Sequence, residues 1–292
     1  MKHDDRNHID WVDGAKGIAI VCVILEHCLP QQDKIYAAMH IGQAVPIFIF
    51  ITSYLISTHY HSLKEYFTTT HLKKMLHSVL PPFLMVLFCE VIVYLYHYGE
   101  IFSIKSVLIA GGCYGPGSYY LYIYLSLWFL IPFVIELVRH TPLWLSFIIV
   151  LTISIGSEYL FTLIEDSRME KLWRILPIRY FMIVWIGCSY SKLNEIGKKI
   201  LVFPAVISEI IIVITMYLSN IQYVTPPETQ GLLNLRIVPP YWDAYHWYTA
   251  FYCYLFIPIL QRIRYSETLL WLGKHSWLIF CWQMFAFWSC KL

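Results

Sequence analysis

Three ionisable side chains share one face of an apolar segment near the N-terminus, residues 10–28 (DWVDGAKGIAIVCVILEHC). Asp13 and Lys16 are three residues apart, which makes them neighbours on a helix. Lys16 and His27 are eleven residues apart, so they lie on roughly the same face, about 16 Å apart along the axis. Imidazole is the usual general base near neutral pH. The spacing therefore predicts a helix face with a charged pair at one end and a proton acceptor at the other.

The same residues also fit structural roles. His27 follows Glu26, and this pair is compatible with a histidine that sits at a membrane interface. Asp13 is in a position where its carboxylate would cap the start of the helix and interact favourably with the helix dipole. The residues alone leave both interpretations open.

Five further side chains are candidates because of where they stand. Lys73 and Lys74 precede an apolar run, Arg179 lies inside another, and Tyr119 and Trp242 stand near Gly-rich or Pro-rich turns. Aromatic faces can stack on sugar rings, although an aromatic belt at the membrane interface is the plainer explanation. The two lysines could equally be signals that set membrane orientation. Arg179 could equally extend its side chain to the lipid headgroups.

Composition indicates the elements that position these residues. The chain is 58% hydrophobic and 14% charged, whereas soluble domains carry roughly 25% charged residues. Apolar runs of spanning length occupy residues 14–29, 41–58, 76–96, 119–138, 143–164, 176–190, 200–218, 245–260 and 269–288. We therefore predict an all-α polytopic transmembrane bundle with about nine crossings, in a single domain over residues 1–292.

Charge distribution predicts the orientation of the bundle. With the N-terminus in the cytoplasm, thirteen of the 21 Lys and Arg residues fall on the inner side and seven on the outer side, as the positive-inside rule favours. The net charge of +2 does not suggest a nucleic-acid partner. The eight cysteines contain no CxxC pair, so neither a metal site nor a disulfide framework is predicted.

The first helix resembles that of acyltransferase family 3, a family of integral membrane acyltransferases. Trp11, Asp13, Gly14, Gly17 and His27 match the opening of that helix, and Lys16 stands where the family has arginine. The resemblance continues to about residue 288, through residues 44–55, 73–82, 115–120, 177–180 and 272–276; the last three resemble members that modify bacterial surface polysaccharides. Those members often have histidine where Gln283 stands, and family members commonly have one more helix after this region.

The resemblance implies a function and a site. Such enzymes pass an acyl group, usually acetyl, from cytosolic acyl-coenzyme A to a hydroxyl of a surface polysaccharide or its lipid-linked precursor, in a bacterial inner membrane. His27 would be the base, with Lys16 and Asp13 beside it. Lys73 and Lys74 would hold the coenzyme's phosphates, and Arg179, Tyr119 and Trp242 would contact the acceptor. No metal is implied, and the expected partners are membrane lipids and the sugar acceptor.

Two other functions fit a polytopic membrane protein. A transporter or flippase of lipid-linked sugars would be expected to have paired half-repeats, which this sequence lacks. The unrelated class of membrane-bound O-acyltransferases also uses an intramembrane histidine. In that class the histidine lies late in the chain, whereas the best candidate here is in the first helix.

Overall fold

The computed structural model describes residues 10–28, 41–60, 62–98, 119–162, 176–222 and 247–289. Within these ranges all regular structure is helical. The helices are α1 (Asp10–Cys28), α2 (Ala44–His59), α3 (Leu63–Tyr66), α4 (Thr69–Tyr98), α5 (Tyr119–His140), α6 (Leu143–Thr162), a 3₁₀ turn (Pro177–Tyr180), α7 (Phe181–Tyr190), α8 (Glu195–Gln222), α9 (Thr249–Leu260), α10 (Glu267–Lys274) and α11 (Ser276–Ser289).

Helix α7 lies at the centre of the bundle. Its sequence FMIVWIGCSY has no polar face, and every residue from Met182 to Tyr190 is buried, as expected of a helix surrounded by others. It packs against α2, α5, α6 and α9. A Cβ at Gly187 would lie 2.8 Å from the carbonyl oxygen of Phe50, so this glycine is what lets α2 approach α7 so closely.

Helices α1 and α10 cross at small residues. A Cβ on Gly273 of α10 would overlap the carbonyl oxygen of Asp13, and one on Gly17 of α1 would overlap that of Leu269. Backbone atoms cannot move aside as a flexible side chain can, so close packing of the two helices requires glycine at both positions. This crossing holds the part of α1 that carries Asp13 and Lys16 against α10.

The all-α prediction is confirmed, while the count of nine crossings stays a prediction. In the described part of the chain, two helical segments are both long and apolar enough to cross a membrane, Tyr122–His140 and Leu143–Leu160; α2 and α9 are apolar but shorter. Large apolar side chains lie on the outside of the bundle, where lipid can solvate them; they include Phe129, Trp144, Leu160, Ile196 and Phe203.

Several helix boundaries differ from the sequence prediction, and two of these differences change which residues share a helix. The helix over the predicted crossing 76–96 begins before it, because α4 starts at Thr69 and so includes Lys73 and Lys74. The predicted crossing 269–288 is divided into α10 and α11 at His275. Hydropathy marks the apolar length of a segment, whereas a helix continues as long as its backbone hydrogen bonds and packing allow.

Candidate active site

A cavity of about 390 Å³ lies between α1, α2, α4, α5 and α11. We call it the central cavity. Its wall is mostly apolar and aromatic, and two cationic side chains, Lys16 and Lys74, contribute to it. Ligand pockets typically combine such an apolar wall with a few polar groups that fix orientation.

Lys16 reaches the cavity from α1. Its Nζ atom lies 3.8 Å from Oδ1 of Asp13, one helical turn earlier. Asp13 is buried, and Gly273 lets α10 pack directly against its backbone. The predicted pairing of Asp13 with Lys16 is therefore present, and the pair is fixed in place by the α1–α10 crossing.

The two adjacent lysines of α4 have different surroundings. Lys74 lines the central cavity, whereas Lys73 is exposed and is not part of its wall. Consecutive residues of a helix do not face the same way, so only one of the two can point at a given cavity. The sequence analysis gave both lysines the same role, whereas in the structure only Lys74 contributes to the cavity wall.

A cluster of three rings at the α2–α3–α4 connection also lines the cavity. The Tyr60 hydroxyl lies 2.5 Å from Nδ1 of His71, and the ring centroids of Tyr66 and His71 are 4.6 Å apart. Burial, and then the nearby charge of Lys74, lower the pKa of His71. Among the described residues, the Tyr66 hydroxyl and His71 Nε2 have no hydrogen-bond partner.

Sequence reasoning did not find this cluster. Tyr60 and Tyr66 flank a short connection, and His71 stands in the first turn of α4. No periodicity links residues in such a connection. The available signal was the density of Tyr and His residues between 59 and 71, just before the two lysines.

His27 lies apart from the central cavity. It is half-buried in the last turn of α1 and is not part of the cavity wall. It follows Lys16 by eleven residues, about 16 Å along the helix axis. The cavity therefore holds one end of the predicted face of α1, and His27 is at the other end.

A family model described as an acyltransferase domain, that of acyltransferase family 3, matches residues 9–291. The chain belongs to acyltransferase family 3. It is therefore a membrane-associated enzyme that transfers acyl groups other than amino-acyl groups. No curated protein and no solved structure matches the chain. This membership favours an enzyme over the transporter or flippase that the sequence left as an alternative.

Three residues were predicted to contact the acceptor, namely Arg179, Tyr119 and Trp242. Arg179 is 7% exposed, and it lies in the 3₁₀ turn that packs against α5, α6 and α7. Tyr119 begins α5, but its side chain is outside the described part of the structure, as is Trp242 altogether. None of the three belongs to the described wall of the central cavity.

Two buried amides in this acyltransferase were not singled out as site residues. Gln43, just before α2, is 0% exposed, and Gln283 on α11 is 6% exposed. Neither amide has a hydrogen-bond partner among the residues that the structure describes. Leaving such a group unpaired costs about 1–3 kcal/mol, and neither amide lines the central cavity.

Proposed function

We propose that this acyltransferase moves an acetyl group from cytosolic acetyl-coenzyme A to a hydroxyl of a surface polysaccharide or its lipid-linked precursor. The observation that carries the proposal is the central cavity, which combines an apolar aromatic wall with Lys16 and Lys74. A coenzyme A thioester has matching chemistry, because a long uncharged arm connects its phosphates to the acyl group.

In this proposal the cations bind the donor. Lys74 is exposed at the cavity, where its ammonium group would contact the coenzyme's phosphates as a point charge. Lys73 would add to the positive potential from outside the cavity. Lysine lacks the planar fork with which arginine binds phosphate through two hydrogen bonds. We therefore expect weaker donor binding here than in a family member with arginines at these positions.

In the transfer step, His27 would be the proton acceptor. The acceptor hydroxyl would attack the thioester carbonyl carbon while His27 takes the hydroxyl proton. The new C–O bond forms, the C–S bond breaks, and coenzyme A leaves as the thiolate. Gln43, Gln283, Arg179, Tyr119 and Trp242 would contribute to the acceptor side.

Acyl transfer in membranes tests the proposal. Membranes from cells that express the full chain would be incubated with acetyl-coenzyme A labelled in the acetyl group, and label would be measured in the glycan and lipid-linked glycan fractions. We expect label that mild alkali releases, because an O-acetyl ester is base-labile and an N-acetyl amide is not. If these fractions contain no more alkali-labile label than membranes without the protein, the proposal is wrong.

A further inference from the structure

Two polar atoms without partners lie in the cavity wall at the α2–α3–α4 connection. Tyr66 of α3 is 1% exposed, and its hydroxyl has no hydrogen-bond partner among the described residues. The same is true of Nε2 of His71, in the first turn of α4. Buried polar groups are normally hydrogen-bonded, and both residues line the central cavity. Two such atoms in one wall indicate a polar ligand.

Packing and one hydrogen bond hold this part of the wall in place. The ring centroids of Tyr60 and Tyr66 are 5.3 Å apart in an edge-to-face arrangement, and those of Tyr66 and His71 are 4.6 Å apart. The backbone N–H of Leu63 donates to Oε1 of Glu136 at 3.1 Å, which ties α3 to α5. Groups that are fixed before a ligand binds lose less entropy when it does.

His71 presents an N–H group at Nε2. The Tyr60 hydroxyl lies 2.5 Å from Nδ1 of His71. A phenol O–H is more acidic than a neutral imidazole N–H, so Tyr60 donates to Nδ1 and the neutral ring carries its proton on Nε2. In the imidazolium form both nitrogens carry protons. Nε2 is therefore a hydrogen-bond donor in either state.

The charges of the cavity wall favour an anion. Lys74 follows His71 by three residues, which makes them neighbours on α4, and Lys16 is a second cation in the wall. The described wall contains no carboxylate. Burial, and then the charge of Glu65, raise the pKa of Tyr60, but Glu65 is exposed and is not part of this wall. The helix dipole also favours negative charge near the first turn of α4.

We propose that Tyr66, His71 and Lys74 bind the 3′-phosphate of the coenzyme A donor, so that the enzyme discriminates against donors that lack this group. The inference rests on the proposed function, in which the donor is an acyl-coenzyme A. The 3′-phosphate is the coenzyme's only phosphate monoester, with three terminal oxygens and a charge of about −1.5 to −2. Each phosphate of the diphosphate has fewer terminal oxygens and less charge. Three donor groups therefore match the monoester better.

Competition binding measures this discrimination. The full chain, purified in detergent, would bind labelled acetyl-coenzyme A, which unlabelled acetyl-coenzyme A or acetyl-dephospho-coenzyme A would displace. We expect the dephospho form to bind about a hundredfold more weakly. Tyr66→Phe and His71→Phe should each reduce this ratio about tenfold, because each removes one hydrogen bond to a charged group while keeping an aromatic ring. The ratio is measured within one sample and without an acceptor, so it depends neither on the folded fraction nor on the transfer step at His27.

Tyr190→Phe is the matched control. Tyr190 is also buried, but its hydroxyl donates to Oε1 of Gln261 at 3.0 Å and it does not line the cavity. This variant should keep the wild-type ratio. Equal affinity of the wild type for the two donors, or a wild-type ratio in both Tyr66→Phe and His71→Phe, overturns the phosphate site. If neither donor binds, the proposed function itself is wrong and this inference is wrong with it.

Discussion

At the scale of single residues, Lys73 and Lys74 make a controlled comparison. They have the same chemistry and are adjacent, but only Lys74 lines the central cavity. Lys74→Gln should raise the KM for acetyl-coenzyme A about tenfold, since a hydrogen bond to a charged group contributes about 1.5–3 kcal/mol. Lys73→Gln should change it much less. Equal effects of the two variants would mean that both lysines act through general positive potential or membrane orientation.

His27 permits a second test at this scale. A general base contributes about 10²- to 10⁴-fold in rate, so His27→Gln and His27→Ala should both lose nearly all acyl transfer per folded molecule. Glutamine keeps hydrogen bonding but cannot accept the proton. If the role of His27 is only structural, His27→Gln should keep substantial activity, and this result would remove the base assignment.

At the scale of helices, the α1–α10 crossing is sensitive to a single added methyl group. A Cβ at Gly273 would overlap the backbone of Asp13, whereas one at Gly156 of α6 would meet nothing within 4 Å. Gly273→Ala should therefore destabilise the protein by about 1–3 kcal/mol through overpacking. Gly156→Ala should be neutral or slightly stabilising, because alanine is the better helix former.

Thermal unfolding of the purified variants in detergent measures this difference. We expect a lower Tm for Gly273→Ala than for the wild type, and a Tm for Gly156→Ala at or slightly above that of the wild type. A wild-type Tm for Gly273→Ala would mean that α1 and α10 do not pack as closely as their glycines suggest.

The positions of the helices could be predicted from sequence where a helix coincides with a long apolar run. Apolar length identified α2, α5, α6 and α9, but it missed the division of α10 from α11 at His275, because that division depends on how α10 packs against α1. The residues of the candidate site likewise include some that the sequence predicts and some that it does not. Asp13, Lys16 and Lys74 share a helix or a motif and were predicted, whereas the cavity wall also includes Phe48, Tyr120 and Phe280, which only tertiary packing brings together.

At the scale of the whole molecule, orientation follows from the asymmetry of thirteen against seven basic residues, which predicts a cytoplasmic N-terminus. Lys64→Cys and Gln230→Cys should then react with a membrane-impermeant thiol reagent from opposite sides, in a background without Cys28, Cys113 and Cys290. In intact cells we expect labelling at position 230 and protection at position 64. Labelling of both from one side would contradict the count of crossings.

The proposed function requires an acyl-coenzyme A to occupy the cavity between α1, α2, α4, α5 and α11. Ser78 lines this cavity and is exposed, so Ser78→Cys places a nearly isosteric, reactive thiol there. Glu195→Cys, at the exposed start of α8 and outside the cavity, is the matched control. Maleimide labelling of both, each in a background without Cys28, Cys113 and Cys290, would be measured in purified protein, with and without acetyl-coenzyme A. We predict that acetyl-coenzyme A slows labelling at position 78 and not at position 195; equal labelling at position 78 with and without it, at saturating concentration, would mean that the donor does not bind in this cavity.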